Sequence, residues 1–370
     1  MTATRILIAA SPGEIRAVAV DDAGTLLDYA ICRPGAPDGV GDVHRGRITA
    51  RAPALAGCFV ALDGMADGFL PDSDGGKQAN EGDAIAVRVT RAAQGGKGPR
   101  LTARLDPELL DQPPPGSGPP ALLRRGPDAV ARLLVLHPGA ARVTDDPALA
   151  APLRAAVRRP AWDERVEDAV AALAAAEVAL PGGGRLHIQP TRALTAIDLD
   201  TGAASGGRQG KAAAQFGFNR AALPVLARQI RLRGLAGAIL VDFAGLPARK
   251  RAALAPDLAA ALHAADPDGA RLLGFTALGL AELVRPRVHP PLHELLAGPH
   301  AAGLAALRAA AAESAANPAR ALALRAAPAV VAALEADRAA TAALAHRTGR
   351  PLLLRADPAL PRDAWMLETA

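Results

Sequence analysis

Aromatic side chains are scarce: the 370 residues hold six Phe, two Trp and one Tyr. A core with so few large rings must be aliphatic, and each ring present is worth locating. Cysteine is rarer still. Cys32 and Cys58 lie in short apolar surroundings at no paired spacing, which excludes a disulfide framework or a Cys-rich metal finger and fits a reducing compartment. Lysine occurs only at Lys77, Lys97, Lys211 and Lys250, so arginine carries the formal net charge of +5. That balance permits a phosphate-rich partner without requiring one. No uncharged run approaches the roughly 18 residues of a membrane-spanning helix, and no basic-apolar leader opens the chain. The expectation is a soluble, cytoplasmic protein with no membrane partner.

Half of the residues are apolar, and a chain of this length suffices for two or three compact domains. Arg5 to Ile31 predicts a hairpin turning at Asp21-Asp22-Ala23-Gly24, followed by a linker, Arg33 to Asp42. Short strands then crowd together at Val43–Ala50, Gly57–Leu62, Ala66–Leu70, Ala84–Val89 and Pro99–Ala103, separated by Gly-containing turns, which predicts a small barrel. The Pro/Gly-rich segment Asp111 to Pro120 marks a boundary or an exposed loop. Beyond it the pattern predicts a helix at Ala121–Arg132, a strand at Leu133–Leu136 and a helix at Glu164–Ala175. Strands follow at Arg185–Ile188 and Ala193–Leu199, then a helix at Ala221–Arg233 and an apolar strand at Ala238–Phe243, an order that implies a covered sheet. Ala-rich helices at Ala302–Ala316 and Ala329–His346 flank a short strand near Ala321–Leu324, as in a small αβ domain.

Chemistry concentrates in Thr195-Ala196-Ile197-Asp198-Leu199-Asp200-Thr201-Gly202. On a strand, Asp198 and Asp200 share one face while Ile197 and Leu199 take the other. A second strand ends its apolar run at Asp242. Placed beside the first pair, it would gather three oxygen ligands, a hard site suited to Mg²⁺, with Mn²⁺ as an alternative. Between Pro181 and Lys250 eight arginines and two lysines face three aspartates, and those three are the candidate ligands. Such a trough would hold a polyanion over a cation that orients an attacking water. The competing interpretation is ordinary turn or cap carboxylates at strand ends. His187, one strand upstream, is an alternative acid or base, or a hydrogen-bonded structural residue.

The run Leu180 to Gly202 and the run Ala227-Arg228-Gln229-Ile230-Arg231 through Leu240-Val241-Asp242-Phe243 resemble the metal-bearing segments of the ribonuclease E/G family. Gly46-Arg47-Ile48-Thr49, Gly57-Cys58-Phe59-Val60, Asp67-Gly68-Phe69-Leu70-Pro71 and Gly96-Lys97-Gly98-Pro99-Arg100-Leu101-Thr102 resemble its S1-type OB module. Asn219, Gly274-Phe275-Thr276 and Glu282-Leu283-Val284-Arg285 continue the core pattern, and Leu354-Arg355-Ala356-Asp357-Pro358 the small domain. The resemblance implies an α/β multidomain fold: an RNase H-like subdomain (1–40 and 119–180) interrupted by an S1-like OB barrel (41–106), a DNase I-like catalytic core (181–298) and a small C-terminal αβ domain (302–370).

It further implies a Mg²⁺-dependent endoribonuclease that cuts single-stranded RNA to 5′-phosphate and 3′-hydroxyl products. Asp198 and Asp242 would hold the ion, and Asp200 would assist where the family usually carries asparagine. Phe59 and Phe69, which composition alone would more often place in a core, become stacking platforms for unpaired bases. Lys97, Arg100, Arg228 and Arg231 become RNA contacts.

The family pattern also breaks. No cysteine stands in Leu295 to Ala302, where the family carries its zinc-sharing pair, so no structural Zn²⁺ is expected and any homo-oligomer must form without a zinc link. The short segment after the barrel leaves no room for the 5′-monophosphate sensor. Arg192 stands where an acid is usual, Ala221 replaces a second acid, and Pro224 predicts a helix starting near Leu223. These departures keep open a non-catalytic, single-strand RNA-binding protein on the same scaffold. An interaction protein working through its Ala-rich tail is a third option that no motif favours.

Overall fold

The computed structural model describes residues 2–106, 118–202 and 211–370. Three antiparallel strands open the chain: β1 (Arg5–Ser11), β2 (Glu14–Val20) and β3 (Leu26–Cys32). Six more follow: β4 (Val43–Ala52), β5 (Gly57–Ala61), β6 (Gly68–Pro71), β7 (Ala84–Arg91), β8 (Arg100–Thr102) and β9 (Ala121–Arg124). After them come α1 (Ala129–Leu136), β10 (Ala141–Thr144), α2 (Pro147–Leu153), β11 (Ala156–Val157) and α3 (Glu164–Ala171). The segment that bears the acids comprises β12 (Glu177–Ala179), β13 (Arg185–Pro190), β14 (Thr195–Asp200), α4 (Lys211–Leu232), β15 (Gly237–Asp242), α5 (Ala248–Ala252), α6 (Ala255–Ala265), β16 (Arg271–Phe275) and β17 (Ala281–Arg285). The tail holds α7 (Leu292–Leu295), α8 (Pro299–Ala316), β18 (Leu322–Ala326), α9 (Pro328–Ala336), α10 (Arg338–Thr348), β19 (Leu353–Ala356) and β20 (Trp365–Thr369). Among the described residues no helix is long and apolar enough to cross a membrane.

Two compact units emerge. One contains Ala36–Arg132 with Arg287–Pro290; the other contains the residues up to Gly35, Leu133–Pro286 and Pro291–Ala370. The smaller unit is a closed five-stranded, OB-like barrel. Its strands β5, β6, β8, β7 and β4 neighbour one another in that order, β5 closes back onto β4, and β9 adds to the outside of β4. Its interior is apolar and without rings: Ile48, Cys58, Val60, Leu62, Leu70, Val87, Val89 and Leu101. Strand alternation therefore turns Phe59 and Phe69 outward, half-buried between buried neighbours.

The larger unit has three sheets. β11-β10-β1-β2-β3 packs on α3, where Val166 and Val170 meet Leu7, Val18 and Trp162. β19-β18-β20 packs on α8, α9 and α10 through Leu304, Leu307, Val330, Leu334 and Leu344. The central sheet runs β12-β13-β14-β15-β17-β16, its apolar face covered by α4 and α6. Leu186, Ile188, Ile197, Leu199, Ile239 and Val241 there meet Leu223, Leu226, Ile230, Leu258 and Leu262, each at most 3% exposed. At about 1.5–3 kcal/mol per buried aliphatic side chain, this face anchors the fold around the acids. β14 alternates buried and exposed at every residue, so the expected covered sheet is covered on one side and leaves the other open.

Several expected elements differ. Ala121–Arg124 pairs with β4 as a strand, and the following helix occupies Ala129–Leu136, which reverses the expected helix and strand. A short apolar run fits either state, and the available edge of β4 decides it. α4 begins at Lys211 and carries Pro224 in its interior, with the ring exposed. The single helix expected at Ala329–His346 is two, because Asp337 ends α9 and caps α10, its carboxylate accepting the Ala340 amide at 3.0 Å. The linker portion 111–117 lies outside the described residues.

Candidate active site

β14 and β15 run parallel, and their register sets Asp198 directly beside Asp242. Parallel neighbours place such partners on one face at adjacent strand ends, about 4.8 Å apart in the backbone. The face is the solvent side, because Ile197, Leu199 and Val241 fill the core opposite. An open cleft of about 300 Å³ forms there, lined by Asp198, Asp200, Thr201, Gln215, Asp242 and Arg251 among others.

The walls are fixed locally. Asn219, fully buried on α4, donates to the Ala244 carbonyl at 3.0 Å and accepts the Ala244 amide at 3.0 Å. That two-point clamp sets the course of the chain just after Asp242. On the other side, Gly184 immediately precedes β13, where a Cβ would meet the Asp200 carbonyl at 2.5 Å and the Phe218 ring at 2.3 Å, so only glycine fits.

Charge is concentrated unevenly. Partial desolvation by the cleft walls, with the charges of Asp242 and Asp200 added, pushes the Asp198 carboxyl above its ordinary value, while His187 opposes the shift. His187 is the cross-strand partner of Asp198 in β13, half-buried, with Nδ1 3.7 Å from Glu177. Arg251 lies across the mouth from the helical turn α5. Its Nη1 donates to Asp242 Oδ1 at 2.5 Å and its Nε to the Leu246 carbonyl at 2.6 Å.

The expected three-carboxylate cluster is not formed as such. Among the described residues no group of three or more His, Cys, Asp or Glu side chains is arranged to hold a metal ion. Asp200 lines the cleft but turns Oδ1 onto the Gly202 amide at 2.9 Å, the bond of a turn carboxylate. What remains is a pair. Two carboxylates on neighbouring strand ends, open to water, fit a hard divalent cation that keeps most of its hydration shell.

The other expected contacts are scattered. Arg228 and Arg231 lie on α4 thirteen and sixteen residues beyond Gln215, roughly 20–24 Å along the helix at 1.5 Å per residue, away from the cleft. Arg231 is committed to the scaffold: its guanidinium grips both oxygens of buried Asp28 and the carbonyl of Ala265. Arg228 is half-buried near Asp21. Arg192 sits in the turn at the opposite end of β14 from Asp198 and Asp200. In the barrel, Phe59 and Phe69 are cross-strand partners, their ring centroids 5.7 Å apart in an edge-on pair. Arg100 is in register with Phe69 and pairs with Asp74 at 3.3 Å, and Lys97 is exposed in the β7–β8 turn. Arg251 went unrecognised in the sequence. The only hint is the basic triplet Arg249-Lys250-Arg251, and nothing in it says which member folds back over the strand end.

The profile of the ribonuclease E/G family matches residues 156–288, the stretch that contains the cleft. Over this segment, 133 of its 370 residues, the chain is of the ribonuclease E/G family. Relatives include ribonuclease E of Escherichia coli (strain K12), 38% identical over 119 residues, which are 32% of this chain and 11% of that protein. Ribonuclease G of the same organism is 35% identical over 141 residues, 38% of this chain and 28% of that protein. Ribonuclease E of Nostoc sp. (strain PCC 7120) is 33% identical over 131 residues, 35% of this chain and 19% of that protein. The matches thus span about a tenth to under a third of these relatives' own length. Both cysteines of the chain, Cys32 and Cys58, are buried and precede the matched segment, so this ribonuclease E/G family member has no cysteine pair after its core for a zinc link.

Proposed function

We propose that the chain is a Mg²⁺-dependent endoribonuclease that cleaves single-stranded RNA to 5′-phosphate and 3′-hydroxyl ends. The observation that carries this is the register of Asp198 against Asp242 at the mouth of one cleft within the family-matched segment. The central sheet and its helices (181–298) are the DNase I-like catalytic domain. The barrel (41–106) is the S1-like RNA-holding domain, residues 1–40 with 119–180 the RNase H-like subdomain, and 302–370 the small αβ domain.

Asp198 and Asp242 would each give one carboxylate oxygen to the cation, and Mn²⁺ would be accepted by the same donors. A bound Mg²⁺ supplies charge withdrawal from a non-bridging phosphate oxygen and a more acidic water. Asp200, held by the Gly202 amide, keeps negative charge at the edge of the pair and helps orient it. Asn219 fixes the loop that follows Asp242, and Arg251 supplies a fixed positive charge beside it. Phe59 and Phe69 offer adjacent ring faces and edges to unpaired bases, with Lys97 and Arg100 on the backbone phosphates.

The grip of Arg251 on Asp242 favours a second reading, a protein that holds single-stranded RNA without cutting it. Incubation with a 5′-end-labelled, A/U-rich oligomer, with and without Mg²⁺, separates the two. Cutting that needs the ion and disappears in both Asp198→Asn and Asp242→Asn supports the nuclease. A mobility shift with no cutting under any condition supports the binder and refutes the nuclease.

A further inference from the structure

Arg251 is the one cation among the described residues lining the cleft, and it is held rather than free. Its side chain is 16% exposed against 48% for Asp242. Three acceptors hold it: Asp242 Oδ1 at 2.5 Å, the Leu246 carbonyl at 2.6 Å and the Gly279 carbonyl at 3.3 Å. The two carbonyls lie on separate loops, after β15 and before β17, so the guanidinium is anchored whether or not Asp242 stays on it.

That arrangement sets up a competition. A divalent ion on the remaining oxygen of Asp242 would sit on the order of 5 Å from the guanidinium. Even in a water-like dielectric the repulsion there lowers ion affinity by about tenfold. A phosphate oxygen entering the cleft is the other partner for a planar guanidinium, which matches phosphate as well as carboxylate and never loses its charge. Among the described residues Nη2 has no hydrogen-bond acceptor, so it is available for such a contact.

We propose that Arg251 is the internal counter-cation of the cleft: it neutralises Asp242 in the free protein, keeps divalent-ion affinity low, and shifts its grip to a phosphate oxygen when a phosphodiester strand enters. Ion and strand then bind cooperatively, and the cleft assembles on substrate. This rests on the assignment of Asp198 and Asp242 as ion ligands.

The test is Mn²⁺ titration of the full chain followed by electron paramagnetic resonance, alone and with a hydrolysis-resistant phosphorothioate RNA decamer. In the native protein the decamer is expected to raise Mn²⁺ affinity at least fivefold. Arg251→Gln is expected to raise the affinity of the free protein about tenfold and to abolish the enhancement by the decamer. Arg251→Lys, which keeps the charge and guards against a folding artefact, is expected to stay within about twofold of native in the free protein. Mn²⁺ binding that Asp198→Asn abolishes but Arg251→Gln leaves equal or weaker would overturn this proposal while leaving the ion site standing. Absence of any Asp198-dependent Mn²⁺ in native and Arg251→Gln proteins alike would overturn both.

Discussion

Replacing Arg231 with Met removes three donors from one buried acceptor cluster and leaves Asp28 stranded. Asp28 is 8% exposed, both its oxygens are taken by Arg231, and after the change, among the described residues, only His137 Nε2, at 3.0 Å, remains beside its carboxylate. Breaking a buried ion pair from one side costs about 3–5 kcal/mol, since the surviving charge keeps its desolvation penalty. His137 offsets part of that, so about 3 kcal/mol is expected, a fall in melting temperature on the order of 6–12 °C. Urea and thermal unfolding, followed by circular dichroism, measure it. The double variant Arg231→Met with Asp28→Asn should recover at least half of the loss, because no buried charge is then left over. RNA affinity of the folded protein should stay within about twofold of native. A variant of unchanged stability that binds RNA tenfold more weakly would refute this and return Arg231 to the RNA surface.

Phe59→Ala and Phe69→Ala should each weaken binding of an unpaired oligomer by about 1–3 kcal/mol while duplex affinity stays low throughout, read by fluorescence anisotropy at fixed salt. Equal losses for single-stranded and duplex RNA would point to damage to the barrel instead. Gly184→Ala should cost about 1–3 kcal/mol and slow cleavage, since its Cβ must displace the Asp200 carbonyl or the Phe218 ring, and a melting curve with a cleavage assay shows both. Burial pushes the Glu167 carboxyl up, but hydrogen bonds from Arg16 and Trp162 outweigh it and hold the group below its ordinary value. A depressed folded value means stabilisation that is full above the ordinary carboxylate range and lost as pH falls through the folded value. Glu167→Gln should therefore flatten the acid limb of a stability profile below about pH 4.5, and an unaltered limb would contradict it.

The pattern around the acids was legible because it is local. Thr195-Ala196-Ile197-Asp198-Leu199-Asp200 alternates strictly, and the strand alternates in burial to match. Barrel strands bounded by glycine turns were legible for the same reason. The pairing of Asp198 with Asp242 is a different kind of fact: forty-four positions separate them, and only the parallel register of β14 on β15 brings them level. Asp200 looked like a third ligand because strand geometry puts it on the same face. The turn that follows supplies the Gly202 amide, and the carboxylate takes that nearer partner. Arg231 and Arg251 show the limit most sharply. Both are arginines beside core segments, yet one is spent on Asp28, 203 residues away, and the other closes over Asp242 with Gly279 as a further anchor 28 residues on, a choice that tertiary contacts make.

The most direct test is crystallographic: soak crystals of the full chain in Mn²⁺ and collect anomalous data at the manganese edge. A single peak within about 2.0–2.3 Å of one oxygen each from Asp198 and Asp242, with waters completing the shell, is the expected result. Anomalous density elsewhere with none between those two carboxylates, at an ion concentration that supports cleavage, would contradict the proposed chemistry.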